Sequence, residues 1–166
     1  MNFNYCPNCG QQTVQKESDT RYTCGSCDWV FWNNPAATVS VVFVKDGQLL
    51  FAKRGIEPDQ GMYDLPGGFL EYNEDPYAGC IREIQEETGL HINRNSLELL
   101  EVYTGEYIPG VSVADLIFIA RGWKGDFAPN DDVAALEWKS PEFINDQRFR
   151  PDYTGLDKKI KDVAGL

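Results

Sequence analysis

Glu83, Glu86 and Glu87 stand within one turn and a half of chain, if that chain is helical. At about 100° per residue they share an arc of about 100° on one helix face. Like charges so placed repel by roughly a few tenths of a kcal/mol per pair. A divalent cation removes that penalty, and hard carboxylate oxygens favour Mg²⁺ or Mn²⁺ over zinc. The helix is predicted from Pro76 to Thr88. Asp75 is suited to cap it, Pro76 to open it and Gly89 to end it in a left-handed turn. Tyr77, Ile81, Ile84 and Thr88 then face a core, and Arg82 lies one turn before Glu86, within pairing reach. Acidic helix faces are common as solvated surface. This one is bracketed by Gly67-Gly68 and Gly89, with Glu74 at its mouth.

A second set of chemistry-bearing residues lies near the N-terminus. Cys6-Pro-Asn-Cys9 and Cys24-Gly-Ser-Cys27 are two Cys-x-x-Cys pairs, with residues 10–23 between them. That spacing fits a four-cysteine zinc ribbon, with a hairpin across residues 12–16 and 21–24. Disulfides suit a reducing compartment poorly, and a redox pair does not need two matched knuckles. A closed four-thiolate site leaves no open coordination position, so zinc here is structural. Trp29, Phe31 and Trp32 follow and are read as packing between the ribbon and the next domain; a base-stacking surface is the sharper alternative. Cys80 has no cysteine neighbour and reads as a packed thiol, and His91 as incidental.

The chain of 166 residues carries a net charge of −11. That balance argues against bulk nucleic acid or an anionic membrane surface as a partner. An anionic substrate would need metals and a few local cations, for which Lys53 and Arg54 are the candidates. No basic-then-apolar leader opens the sequence and no apolar run reaches the 18 or so residues of a membrane helix, so a cytoplasmic protein is expected. A second copy of the chain is an open option as a partner.

Around these residues the elements alternate. Residues 37–44 read as a buried strand and 48–53 as its hairpin partner across Lys45-Asp46-Gly47. After the acidic helix come strands at 97–103 and 113–120, with 104–110 as a loop containing Glu106 and Tyr107. A polar loop over 122–132 ends in Asp131-Asp132; a short strand follows at 135–139, a helix starts at Ser140-Pro141-Glu142, and a last helix occupies 153–163. This is an α/β sandwich with a mixed sheet, preceded by a small module. The expected division is 1–34 for the zinc ribbon and 35–166 for the larger domain.

The stretch Gly68-x5-Glu74-x7-Arg82-Glu83-Ile84-x-Glu86-Glu87-x-Gly89-Leu90 resembles the signature of the Nudix hydrolases at every fixed position. The resemblance implies the Nudix α/β/α sandwich and hydrolysis of the pyrophosphate bond of a nucleoside diphosphate linked to a further group. It implies Glu83, Glu86 and Glu87 as Mg²⁺ or Mn²⁺ ligands, with the Gly68 carbonyl, and Arg82 as the residue holding Glu86. The proton acceptor is Glu86 or Glu87, with Glu106, Asp131 and Asp132 as alternates. A zinc ribbon ahead of this signature is similar to the domain order of NADH pyrophosphatases, whose downstream motif is absent here. Tyr107, at an offset similar to that of a tyrosine in some dinucleoside polyphosphate hydrolases, joins Lys53 and Arg54 as a substrate contact. Dinucleotides and nucleotide sugars are favoured substrates. A non-catalytic nucleotide sensor or protein-interaction module is the alternative from another class.

Overall fold

The computed structural model describes residues 3–151 and 153–165. Three short strands come first, β1 (Val14–Lys16), β2 (Arg21–Cys24) and β3 (Val30–Trp32), in an antiparallel sheet of order β1-β2-β3. The expected hairpin is present, with Val14 opposite Cys24 and Lys16 opposite Tyr22. Strands this short bury little, and the module makes its own aromatic core. Phe3 lies edge-on to Tyr22, Trp29 and Phe31 at 5.2–5.4 Å, and Trp29 stacks on Phe31 at 6.1 Å. Trp29 and Phe31, expected to pack the ribbon against the next domain, instead build the module's own core. Trp32 is half exposed, with the Arg21 guanidinium over its ring at 5.3 Å.

The larger sheet is built on β4 (Ala36–Lys45), β5 (Gln48–Arg54), β6 (Tyr63–Asp64) and β7 (Gly67–Phe69), then β8 (Leu97–Ile108), β9 (Val111–Ala120) and β10 (Val133–Lys139). Its order is β10-β5-β4-β9-β8, with β6 on β5 and β7 on β4. The β4–β9 pair is parallel and the others antiparallel, so the sheet is mixed as expected. The β-branched run in β4 is continuous because both faces are covered. Val39, Val41 and Phe43 meet Cys80, Ile84 and Phe118 on the side of helix α1 (Pro76–Thr88). Val42 meets Phe51, Ile117, Ile119 and Ile160 on the side of helix α2 (Leu156–Ala164). Burying each such side chain is worth about 1.5–3 kcal/mol.

Helix α1 begins and ends where its caps require. The Asp75 carboxylate accepts from the Tyr77 and Ala78 N–H groups, and Gly89 takes φ 70° while its N–H donates to the Gln85 carbonyl. Cys80, Ile84 and Thr88 are buried, and Tyr77 packs its ring 4.9 Å from Phe118.

Gly67 and Gly68 lie in a strand paired to β4. Two expectations change. Residues 104–108 are strand rather than loop, and the turn is confined to 109–110: β8 runs on to Ile108 and returns as β9, with a register shift between Glu106 and Ile108. The polar loop composition was overridden by pairing with a neighbouring strand. At Pro141–Asn145 there is a 3₁₀ turn without a side-chain cap rather than an α-helix. Among the described residues no helix is long and apolar enough to cross a membrane.

Candidate active site

The acidic face of α1 is fixed against the Gly67-Gly68 strand. Glu87 is 7% exposed, and its Oε2 accepts from the Gly67 N–H at 2.8 Å. Burial raises its carboxyl well above the ordinary carboxylate range, despite that hydrogen bond, and the nearby charges of Asp132 and Glu83 add to the rise. Glu83 lies against Gly68: a Cβ there would sit 2.6 Å from the Glu83 Cδ. Burial raises Glu83 as well, and Arg82 partly offsets it. Gly67 is the tighter position. A Cβ on it would meet the Val39 carbonyl oxygen at 2.0 Å, and its φ of 149° is one that side-chain-bearing residues rarely adopt. Gly67→Ala is therefore expected to cost at least about 2 kcal/mol of stability and to lower Tm in a thermal melt. An unchanged Tm would show that β4 and β7 can separate there freely.

Arg82 gathers the carboxylates. Its Nε and Nη2 donate to the two oxygens of Glu74 at 2.9 and 2.8 Å, and Nη1 donates to Glu83 at 2.6 Å and Glu86 at 3.1 Å. A further bond from Nη2 reaches the Phe69 carbonyl at 3.1 Å. The expected pair with Glu86 is present, and the bidentate partner is Glu74, whose carboxyl Arg82 pulls down to about 2.

A cleft of about 590 Å³ opens beside this face. It is lined by Gly67, Gly68 and Glu87, by Glu106 and Tyr107 of the β8–β9 hairpin, and by Arg54 and Asp132. Arg82, Glu83, Glu86, Asp131 and Lys53 do not line it; the Lys53 ammonium sits 5.8 Å from the centre of the Tyr63 ring. His91 forms a β-bridge with Lys124 instead. The cleft also contains residues that the sequence did not single out, namely Asp64, Asp115, Arg150 and Tyr153. Asp115 is 4% exposed and accepts from the Thr38 hydroxyl at 2.9 Å, the Ser40 hydroxyl at 2.8 Å and the Tyr153 hydroxyl. Asp64 is pushed up to about 7 by burial and then by the charge of Asp115. One signal pointed to Asp115: a carboxylate in the middle of the apolar run of β9 needs partners when buried.

In the small sheet the Sγ atoms of Cys6, Cys9, Cys24 and Cys27 all lie within 4.8 Å of one another, a group able to hold a metal ion. Its thiols are free rather than paired in disulfides. Two of its thiols shift in opposite directions: the Thr13 hydroxyl and the Ser26 N–H hold Cys24 down, while Cys9, despite its Gln11 backbone contact, is pushed up by burial and by the neighbouring thiols. Among the described residues the glutamates of α1 form no second group so closely gathered. Cys80 is fully buried on the core side of α1, and burial pushes its thiol up to about 12, as befits an inert packed cysteine.

Comparison with known proteins gives the same picture. The model of the NUDIX domain matches residues 33–159. The chain is 36% identical over 106 residues to an ADP-ribose pyrophosphatase of Methanocaldococcus jannaschii, covering 63% of this chain and 62% of that protein. It is 30% identical over 92 residues to the NAD-capped RNA hydrolase NudC of Vibrio parahaemolyticus, covering 55% of this chain and 35% of that one. The chain thus spans less than two thirds of either relative. A crystal structure of a NUDIX hydrolase from Nitrosomonas europaea superposes with a TM-score of 0.70 at 28% identity, over 98% of this chain and 93% of that one.

Proposed function

The chain belongs to the NUDIX family, and on that premise we propose that it is a divalent-metal-dependent pyrophosphohydrolase acting on a nucleoside diphosphate linked to a further group. The observation that carries this reading is the buried Glu87, anchored by the Gly67 N–H at the wall of a cleft large enough for a nucleotide. Glu83, Glu86 and Glu87, with the Gly68 carbonyl, would hold Mg²⁺ or Mn²⁺. The donor set fits: it is all oxygen, and two of its carboxylates are pushed up by burial while Arg82 is already committed bidentately to Glu74. Such an ion would neutralise phosphoryl charge and acidify the attacking water.

The chain's own residues supply orientation. Arg82 holds Glu83 and Glu86, and the Gly67 N–H holds Glu87. Glu87 takes the proton of the attacking water, since of Glu86 and Glu87 it is the one at the cleft wall. Arg54 and Tyr107 contact the substrate; the Arg54 Nη2 already lies 3.4 Å from the Tyr107 hydroxyl. The four-cysteine cluster of residues 1–34 holds a structural zinc, ahead of a hydrolase domain over 35–166.

Dinucleotides and nucleotide sugars rank ahead of nucleoside triphosphates, a ranking supported by the relative named an ADP-ribose pyrophosphatase; the relative named for NAD-capped RNA is the reason capped RNA belongs in the comparison. Specificity constants for ADP-ribose, NADH and diadenosine polyphosphates, compared with dNTPs and capped RNA at one Mg²⁺ concentration, test it. At least one of the first group is expected to exceed the dNTPs by about tenfold. A tenfold advantage for a dNTP or for capped RNA would reverse the ranking, and no turnover of any compound would overturn the activity itself.

A further inference from the structure

The cleft has an unfavourable charge balance for a diphosphate. Among the described residues, Asp59, Asp64, Glu87, Glu106, Asp115 and Asp132 line it against two basic side chains, Arg54 and Arg150. Arg150 is the better anchored of the two. Its N–H donates to the Tyr63 carbonyl at 2.8 Å and the neighbouring Phe149 bridges Tyr63, so its backbone is pinned beside β6. Its side chain is 11% exposed. It donates from Nε to the Asp59 carboxylate at 2.5 Å and from Nη2 to the Tyr107 carbonyl, and it lies 4.0 Å from the centre of the Tyr107 ring. Its Nη1 is 3.9 Å from the Asp64 carboxylate, beyond hydrogen-bond range. Asp59, by contrast, is half exposed on the loop between β5 and β6, where water can take over its solvation.

We propose that Arg150 is a phosphate-binding residue of this cleft, and that a substrate phosphate displaces the Asp59 carboxylate from it. A phosphate carries more charge than a carboxylate and offers the paired oxygens that a guanidinium fork takes bidentately. The exchange leaves the Tyr107 contacts in place, so the hairpin wall stays closed around the bound group. Asp59 then acts as a competitor that sets affinity without touching the reacting atoms. The inference rests on the pyrophosphohydrolase reading for its kinetic consequences, while phosphate binding itself is measurable without turnover.

The experiment compares Arg150→Met, Arg150→Lys and Asp59→Asn in two assays: steady-state kinetics on the best substrate of the panel, and calorimetric binding of ADP to the zinc-loaded protein without added Mg²⁺ or Mn²⁺. Asp59 sits at φ 63°, a conformation asparagine tolerates, so Asp59→Asn removes the charge and leaves the loop intact. Arg150→Met is expected to raise KM and the ADP Kd by about tenfold or more with kcat within about threefold, and Arg150→Lys to fall between. Asp59→Asn is expected to move both constants the other way, lowering them roughly two- to fivefold. If Arg150 merely ties the loop to the hairpin, Asp59→Asn and Arg150→Met will raise KM together, and the proposal falls. It also falls if Arg150→Met leaves the ADP Kd within twofold. Should Arg150→Met not fold, Arg150→Lys and Asp59→Asn decide by the same opposite signs. A wild-type protein that binds ADP but hydrolyses nothing would sink the enzymatic reading and leave this one standing on the calorimetry.

Discussion

Glu87→Gln is expected to lower turnover by roughly 10²-fold or more at saturating Mg²⁺. The substitution keeps the side chain's shape and an oxygen able to accept from the Gly67 N–H, so the 2.8 Å anchor survives. What is lost is the charge and the basicity at the cleft wall. Stability should respond in the opposite sense. A carboxyl whose folded-state value lies above its unfolded value favours folding while protonated, and that advantage is lost as pH rises from about 4.5 through the raised folded value. In EDTA the wild-type Tm should therefore fall as pH is taken from 5 to 8 more than that of Glu87→Gln, and the variant should be the more stable of the two at pH 8. Turnover within threefold of wild type would remove Glu87 from the chemistry, and parallel Tm profiles would show that its burial is compensated by another group.

Removing metal from the four-thiolate cluster is the other change of large effect. Native protein should contain one zinc per chain by elemental analysis. Cys24→Ser, or a strong chelator under reducing conditions, should release it and unfold the small sheet. Strands of three, four and three residues cannot hold a module together alone. Structural zinc in such units contributes about 10–16 kcal/mol of apparent binding energy at neutral pH. Trp29 and Trp32 report the loss by fluorescence, because Trp29 leaves its stack with Phe31. The main melting transition should persist, since the buried clusters on both faces of the large sheet draw on no residue before Val39. Metal-free native protein, or a ribbon spectrum indifferent to chelation, would refute the assignment.

What could be read from the sequence divides by the range of the interactions. Helix α1 was placed to the residue because Asp75, Pro76 and Gly89 act on their immediate neighbours. The four cysteines were legible for the same reason, as two local knuckles. The β8–β9 hairpin was cut short because Gly105, Pro109 and Gly110 are loop-forming by composition, whereas the strand's pairing with Ser112 and Val113 prevails. Asp64, Asp115, Arg150 and Tyr153 went unseen because their partners are far away along the chain. Asp115 is served from Thr38, Ser40 and Tyr153, and Arg150 from Asp59 and Tyr107, so no local pattern marks them. Lys53 and Arg54 looked alike as adjacent cations, but strand alternation sends them to opposite faces, and only Arg54 lines the cleft.

The parallel pairing of β4 with β9 imposes an order on how the protein comes into being. Ala36 meets Val113 and Phe43 meets Ala120, so every rung joins positions 77 apart. Closing so wide a loop costs entropy before any contact repays it, and such pairings form slowly. The ribbon's pairings span far shorter distances, and its four thiolates all precede residue 33. A chain emerging from the ribosome can finish that module while β9 is still unmade. It can even complete helix α1 with all its glutamates and remain without a cleft, because Arg150 and Tyr153 emerge more than 60 residues later. The nascent protein thus carries its acidic cluster through the synthesis of residues 89–153 in a form that has no pocket in which to use it.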